Sequence, residues 1–228
     1  MAYNHDTKDP NLMNLHKAMV YDEDGEPSLR VSIEQMAQIM QGSAHGKVLI
    51  TSGAVFQFDS RQINSGDIFL ALKGESADGH EFISDAMSRG ASLSIVNRPV
   101  SSPHILVDNV LHALAKLATY VRRELKDLKV VGITGSQGKT TTKDLLLSIL
   151  MAEGETIASL ASFNNELGVP LTLLRCTTKS KYCILEMGAR NSGDIASLTA
   201  IANPDVGAVL KVGNAHLGQF GSQEMIAK

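Results

Sequence analysis

The hexapeptide Gly135-Ser136-Gln137-Gly138-Lys139-Thr140 lies between an apolar run and a helical pattern, and it restricts the fold more than any other segment. Val130 to Ile133 reads as a strand buried on both faces of a parallel sheet, and a helix follows from Thr140 to about Ala152. A strand, two glycines and a helix start together turn backbone N–H groups toward one point, where they and the helix N-terminus favour phosphate oxygens. The expected ligand is therefore ATP, held by Gly135, Ser136, Gln137, Gly138, Lys139, Thr140 and Thr141. Lys139 is placed on the β- and γ-phosphates, and the Thr140 hydroxyl on Mg2+. Ile133 stands where the general GxxxxGK[ST] pattern has its first glycine, so the loop is a variant form. No DxxG-type strand end or NKxD motif accompanies it, which disfavours a stand-alone nucleotide switch.

The segments behind the loop continue the α/β alternation. Thr156 to Ala158, Tyr182 to Leu185 and Val206 to Leu210 read as strands, and Asp194 to Ile201 as a helix. Parallel sheets of this kind bind ligands at the strand C-terminal ends. Glu186 falls at one such end, where it can hold a metal or a water or form a structural ion pair. His216 follows another strand and is either a ligand or a packed histidine. Asn164 and Asn165 lie in a loop before Gly168-Val169-Pro170, which suits either an Asx-type turn or contact with a substrate.

The first half has its own pattern. Ser32 is placed to cap a helix that carries Ile33, Met36, Ile39 and Met40 and stops at Gly42. Val48 to Ile50, Val55 to Phe58, Ile68 to Leu72, Leu93 to Val96 and Ile105 to Val107 read as strands. Glu81 to Arg89 reads as a helix with Phe82, Ile83 and Met87 facing inward, and Val110 to Leu125 as a second helix, capped by Asn109. The charged stretch Arg122 to Lys129 marks a domain boundary. The fold class is α/β, with a poorly ordered leader over 1–30, a small α/β domain over 31–127, and the first part of a parallel-sheet P-loop domain over 128–228. Asp59-Ser60-Arg61, Lys73-Gly74 and Asp78-Gly79-His80 cluster at strand ends and a helix start. Their hydroxyl, guanidinium and amide groups suit a nucleotide diphosphate or a sugar, although the same residues also build ordinary turns.

Composition mainly excludes alternatives. A net charge of -3 gives no electrostatic reason to expect nucleic acid or an anionic membrane as partner. No run of 18 apolar residues predicts membrane insertion, and the polar N-terminus lacks the order of a secretory signal. Cys176 and Cys183 form no metal-ligand cluster and read as reduced, buried thiols of a cytoplasmic protein.

Taken in order, these segments resemble the Mur ligases, the ATP-dependent amide-forming enzymes of bacterial peptidoglycan synthesis. The resemblance is carried by Asp59-Ser60-Arg61, Gly66 to Gly74, Asp78-Gly79-His80, Thr134 to Thr142, Asn164 to Thr172, Glu186 to Arg190 and Ala215 to Ser222. The two-asparagine loop and the Ala215-His216-Leu217 segment are similar to those of members that add D-alanyl-D-alanine to UDP-N-acetylmuramoyl-tripeptide through an acyl phosphate. Members that add the third peptide residue, or a non-catalytic UDP-sugar-binding module, are the alternatives.

The resemblance implies that the first domain binds the uridine end of the substrate, with Ser60, Arg61, Lys73, Asp78, His80, Asn164 and Asn165 as substrate contacts. It also implies catalytic roles for Lys139 and His216, one Mg2+ on Thr140 beside the ATP phosphates, and a second Mg2+ held by Glu186 and His216. Complete family members continue past the position of Lys228 into a third domain, which takes D-alanyl-D-alanine, and their carbamylated lysine aligns a residue or two beyond Lys228 or, with a small gap, on Lys228 itself. The expectation is a fragment that does not form the amide alone.

Overall fold

The computed structural model describes residues 32–46, 48, 54–74, 77–160 and 163–213. The expected leader, most of the expected strand at Val48 to Ile50, His216 with its flanking segment, and Lys228 lie outside the described residues. The chain divides into two compact units, Met1–Leu117 and Ala118–Lys228, with the division inside one helix.

The first unit is built on a five-stranded sheet. Its strands are β1 (Ser43–His45), β2 (Phe56–Gln57), β3 (Ile68–Leu70), β4 (Leu93–Val96) and β5 (His104–Leu106), in the order β1-β5-β4-β3-β2. All neighbours are parallel except β1, which runs antiparallel to β5. Parallel strands are covered on both faces, and β3 and β4 are buried along their whole length. On one face, Phe69, Ala71 and Val96 pack against Ile83 and Ala86 of helix α2 (Ile83–Ser88).

Helix α1 (Ile33–Ile39) has the expected Ser32 cap, extended to a full capping box by Gln35. It ends on Gln41 in the left-handed region (φ 58°) rather than on the expected glycine. Gly42 is needed for space, since a Cβ there would lie 2.3 Å from the Leu106 carbonyl oxygen. β1 was not expected from the sequence, because its three residues gain strand character only by pairing with β5. The turn before β3 is held by Asp67, whose buried carboxylate accepts the N–H groups of Val55 (3.2 Å) and Asn64 (2.8 Å). Burial raises its pKa above the ordinary value, against those two hydrogen bonds.

Phe82, expected to face inward, faces solvent instead. A 3-10 turn over Gly79–Phe82 precedes α2, and its tighter winding leaves Phe82 42% exposed while Ile83 goes inward.

Helix α3 (Val110–Glu124) presents Val110, Ala113, Leu114, Leu117, Ala118 and Val121 as its buried stripe, with Asn109 Oδ1 accepting from His112 N at 2.9 Å. The second unit has a four-stranded, all-parallel sheet. Its strands are β6 (Lys129–Thr134), β7 (Thr156–Ala158), β8 (Tyr182–Glu186) and β9 (Val206–Val209), in the order β7-β8-β6-β9. Helices α4 (Lys139–Leu150), α5 (Gly168–Leu173) and α6 (Asp194–Ala202) supply the crossovers.

Arg122 anchors this unit. Buried at the end of α3, it donates to the carbonyls of Ala202 (3.0 Å) and Asn203 (3.0 Å) and to Asp205 Oδ2 (2.9 Å). The Val130 N–H, bonded at 2.9 Å, then the Arg122 and Lys129 cations hold the Asp205 carboxyl below its ordinary pKa. Because Ile133 on β6 is in register with Glu186 on β8, the P-loop and the Glu186 carboxylate emerge at one edge of the sheet.

Candidate nucleotide site

The P-loop depends on two glycines in the left-handed half of backbone space, Gly135 (φ 139°) and Gly138 (φ 85°). A Cβ on Gly135 would also lie 2.9 Å from Leu210 Cβ. The loop is fastened to the segment after β9: Ser136 N donates to the Lys211 carbonyl (2.9 Å), and Gly213 N donates to Ser136 Oγ (2.9 Å). Gly138 caps α4 without a side-chain acceptor, so the first-turn N–H groups of this helix suit an external anion. Lys139 Nζ donates back to the Gly135 carbonyl at 2.8 Å, which keeps the ammonium over the loop.

Three of the expected residues converge. Thr140 Oγ1 donates to Glu186 Oε2 at 2.9 Å, and Asn164 Nδ2 donates to Glu186 Oε1 at 3.0 Å. Glu186 is 2% exposed, and its own N–H donates to Ser159 Oγ at 3.1 Å. Gly188 makes room for the asparagine: a Cβ there would lie 2.8 Å from Asn164 Oδ1. Asn165 acts differently, its Oδ1 accepting from Leu167 N (3.3 Å) and Gly168 N (3.0 Å) at the start of α5. That is the Asx-type turn, and it lets Pro170 sit in a first turn whose N–H groups need no helical partner.

A hydroxyl and a carboxylate side by side form the hard-oxygen donor pair that Mg2+ takes together with phosphate oxygens and water. Thr140 and Glu186 fit that requirement. Among the described residues no group of three His, Cys, Asp or Glu side chains could enclose a metal alone.

In the first unit the expected residues mostly bind one another or near neighbours. Arg61 forks onto Asp59 through Nε to Oδ1 (2.9 Å) and Nη2 to Oδ2 (2.7 Å). Ser60 is buried, and its hydroxyl, followed by the Arg89 guanidinium, holds the Asp85 carboxyl below its ordinary pKa. Lys73 pairs with Asp78 through an isolated backbone bridge.

Asp78 Oδ1 takes His80 N (3.0 Å) and lies 2.7 Å from His80 Nδ1, while its Oδ2 takes Arg98 Nη1 (2.9 Å). The His80 backbone N–H and imidazole, then Arg98, bring the Asp78 pKa from 3.8 to about 2. The buried His80 ring lines a cavity of about 430 Å³ with Ile83, Ser84, Met87, Val100, Ser101 and Ser102.

Sequence reasoning missed Lys143, Ser159 and Arg98. The first two are single residues in ordinary helix and strand-end contexts, and Arg98 finds Asp78 across twenty residues.

Two family models match the chain: "Mur ligase middle domain" over residues 133–228 and "Mur ligase family, catalytic domain" over residues 54–122. A UDP-N-acetylmuramoyl-tripeptide–D-alanyl-D-alanine ligase from Mycobacterium tuberculosis is 45% identical over 88% of this chain and 45% of its own length. The Escherichia coli ligase of the same name is 37% identical over 88% and 44%.

Among solved structures, MurF from Acinetobacter baumannii superposes with a TM-score of 0.80 at 38% identity, covering 86% of this chain and 44% of that one. MurF from Thermotoga maritima in complex with ADP gives 0.69 at 40% identity, covering 75% and 40%. The chain thus spans less than half the length of these relatives. With both units matched by its domain models, the chain belongs to the Mur ligase family.

Proposed function

We propose that this chain supplies the uridine-nucleotide-binding and ATP-binding parts of a ligase that joins D-alanyl-D-alanine to UDP-N-acetylmuramoyl-tripeptide in the cytoplasm. The observation that carries this reading is the Thr140–Glu186 hydrogen bond at the mouth of a P-loop, in a chain 45% identical to a ligase of that name. Loop N–H groups and the Lys139 ammonium bind and orient the ATP phosphates. Thr140 and Glu186 would hold one Mg2+ and Glu186 with His216 a second; bound there, the ions would neutralise charge on the transferring phosphoryl group. Asn164 holds the other oxygen of the Glu186 carboxylate, and the Asn165 cap shapes the loop that would face the substrate.

In the reaction the γ-phosphoryl group passes to the tripeptide's terminal carboxylate. The dipeptide amine then attacks that carbonyl, phosphate leaves and an amide remains. Positioning and charge stabilisation account for most of the rate in such a step. Ser60, Arg61, Lys73, Asp78 and His80 shape the uridine-side loops.

Calorimetry tests the reading. The chain should bind ADP with Mg2+ and, separately, UDP-N-acetylmuramoyl-tripeptide. Lys139→Ala should weaken only the first, by about 100-fold or more. Binding of the UDP compound without any ADP binding would point to a non-catalytic module instead.

A further inference from the structure

Lys143 lies one turn beyond Lys139 on α4, on the same side of the helix. It is 6% exposed, and a lysine so buried needs defined partners. One is the mostly exposed carboxylate of Asp144, at 3.1 Å. The other is the backbone carbonyl of Ser159, which Lys143 Nζ reaches at 3.1 Å.

That carbonyl occupies a particular place in the sheet. Ser159 N donates to the Ile184 carbonyl at 2.9 Å, continuing the parallel ladder of β7 on β8. In a regular parallel ladder the next bond runs from Glu186 N–H to the Ser159 carbonyl. Here the carbonyl serves Lys143, and Glu186 N–H goes to the Ser159 hydroxyl at 3.1 Å. With this exchange β7 ends at Ala158 while the Glu186 backbone stays held. Arg175 Nη1 grips the preceding carbonyl, Ala158, at 2.9 Å.

We propose that Lys143 is a positioning residue for the Glu186 carboxylate: by drawing the Ser159 carbonyl out of the ladder, it sets the backbone from which Glu186 meets Thr140 and Asn164. This rests on the nucleotide-binding reading of the same site, and the test separates the two.

The first arm uses no ligand. In Lys143→Met, exchange of the Asn164 side-chain amide protons, bonded to Glu186 in the wild type, rises about tenfold, while amides in the middle of β6 keep their rates. The second arm titrates Mg2+ into the chain with ADP. In Lys143→Met and Ser159→Ala the half-saturating Mg2+ concentration rises at least about tenfold, ADP binding in chelator changes less than about twofold, and Lys143→Arg recovers most of the loss.

Unchanged Asn164 exchange together with unchanged Mg2+ dependence overturns the proposal. Uniform acceleration of all amides overturns it too, since Lys143 then only stabilises the unit. If the wild-type chain binds no ADP at all, the nucleotide reading fails, and the Asn164 arm still decides the positioning role.

Discussion

The polar residues of the second unit meet across long stretches of chain, whereas those of the first pair mainly with close neighbours. Thr140 and Glu186 are 46 residues apart, Asn164 and Glu186 22, and Lys143 and Ser159 16. In the first unit Arg61 turns back on Asp59 and His80 on Asp78, each two residues away. A site assembled by register between strands exists only while the sheet is intact. A motif closed over two residues keeps its shape through local chain geometry and ties less of the unit's stability to any one bond. On the proposed function, the difference suits a unit that places a carboxylate beside phosphates and another that presents shaped loops to a ligand.

Arg122→Ala should strike the long-range kind of assembly hardest. It removes a buried guanidinium from two carbonyls about eighty residues away and leaves Asp205 only the more distant Lys129 ammonium at 3.5 Å. Breaking a buried pair on one side costs about 3–5 kcal/mol, so urea denaturation should show a loss of that size in the second unit. A loss under about 1 kcal/mol would mean that the anchor is redundant and the contrast overstated. Gly135→Ala comes next. It forces a side chain onto φ 139° and against Leu210, for about 2 kcal/mol by the same measurement.

The local kind is probed by acid. Asp78 titrates at about 2 in the folded chain against 3.8 ordinarily, so its ionised form stabilises the fold. A depressed carboxyl contributes fully above the unfolded value and loses that contribution as pH falls through the folded one. Stability of the first unit should therefore decline between about pH 4 and pH 2 on this account, and Asp78→Asn should flatten that limb. Because Arg98 is 56% exposed and the carboxylate partly so, the loss at neutral pH should be about 1 kcal/mol. An unchanged acid limb in the variant would show that the Asp78–His80–Arg98 set is decorative.

Much of both sheets was legible because burial and period are written locally. β7 and β4 occupy the residues their apolar runs predict, and the P-loop follows from glycine chemistry at two positions. Glu186 was legible as a polar residue ending an apolar strand. Asn165 showed only its residue type, which suits a cap and a contact equally, and the geometry adds the cap.

Other features depend on partners far along the chain. β1 becomes a strand through β5, some sixty residues on, and Arg122 sits in a charged stretch that reads only as a domain boundary until its carbonyl partners are brought to it. Lys143 reads as one more helix lysine, because nothing near it in sequence announces that Ser159 will offer a carbonyl there.

Phe82 separates the two kinds of information within a single residue, and it should give the smallest effect. Helical phasing from Glu81 turns its ring inward, but the 3-10 turn from Gly79 advances each residue by a third of a turn, which shifts the phase. The ring ends 42% exposed beside a fully inward Ile83. Phe82→Ser should therefore change unfolding free energy by no more than about 0.5 kcal/mol. Ile83→Ala, which empties part of the α2 core, should cost about 2–4 kcal/mol. Equal losses in the two variants would restore the simple helical phase and remove the 3-10 turn from the first unit. Unequal losses would support the view that the Asp78 cap, which bonds both the backbone N–H and the ring of His80, decides which side chain the helix buries.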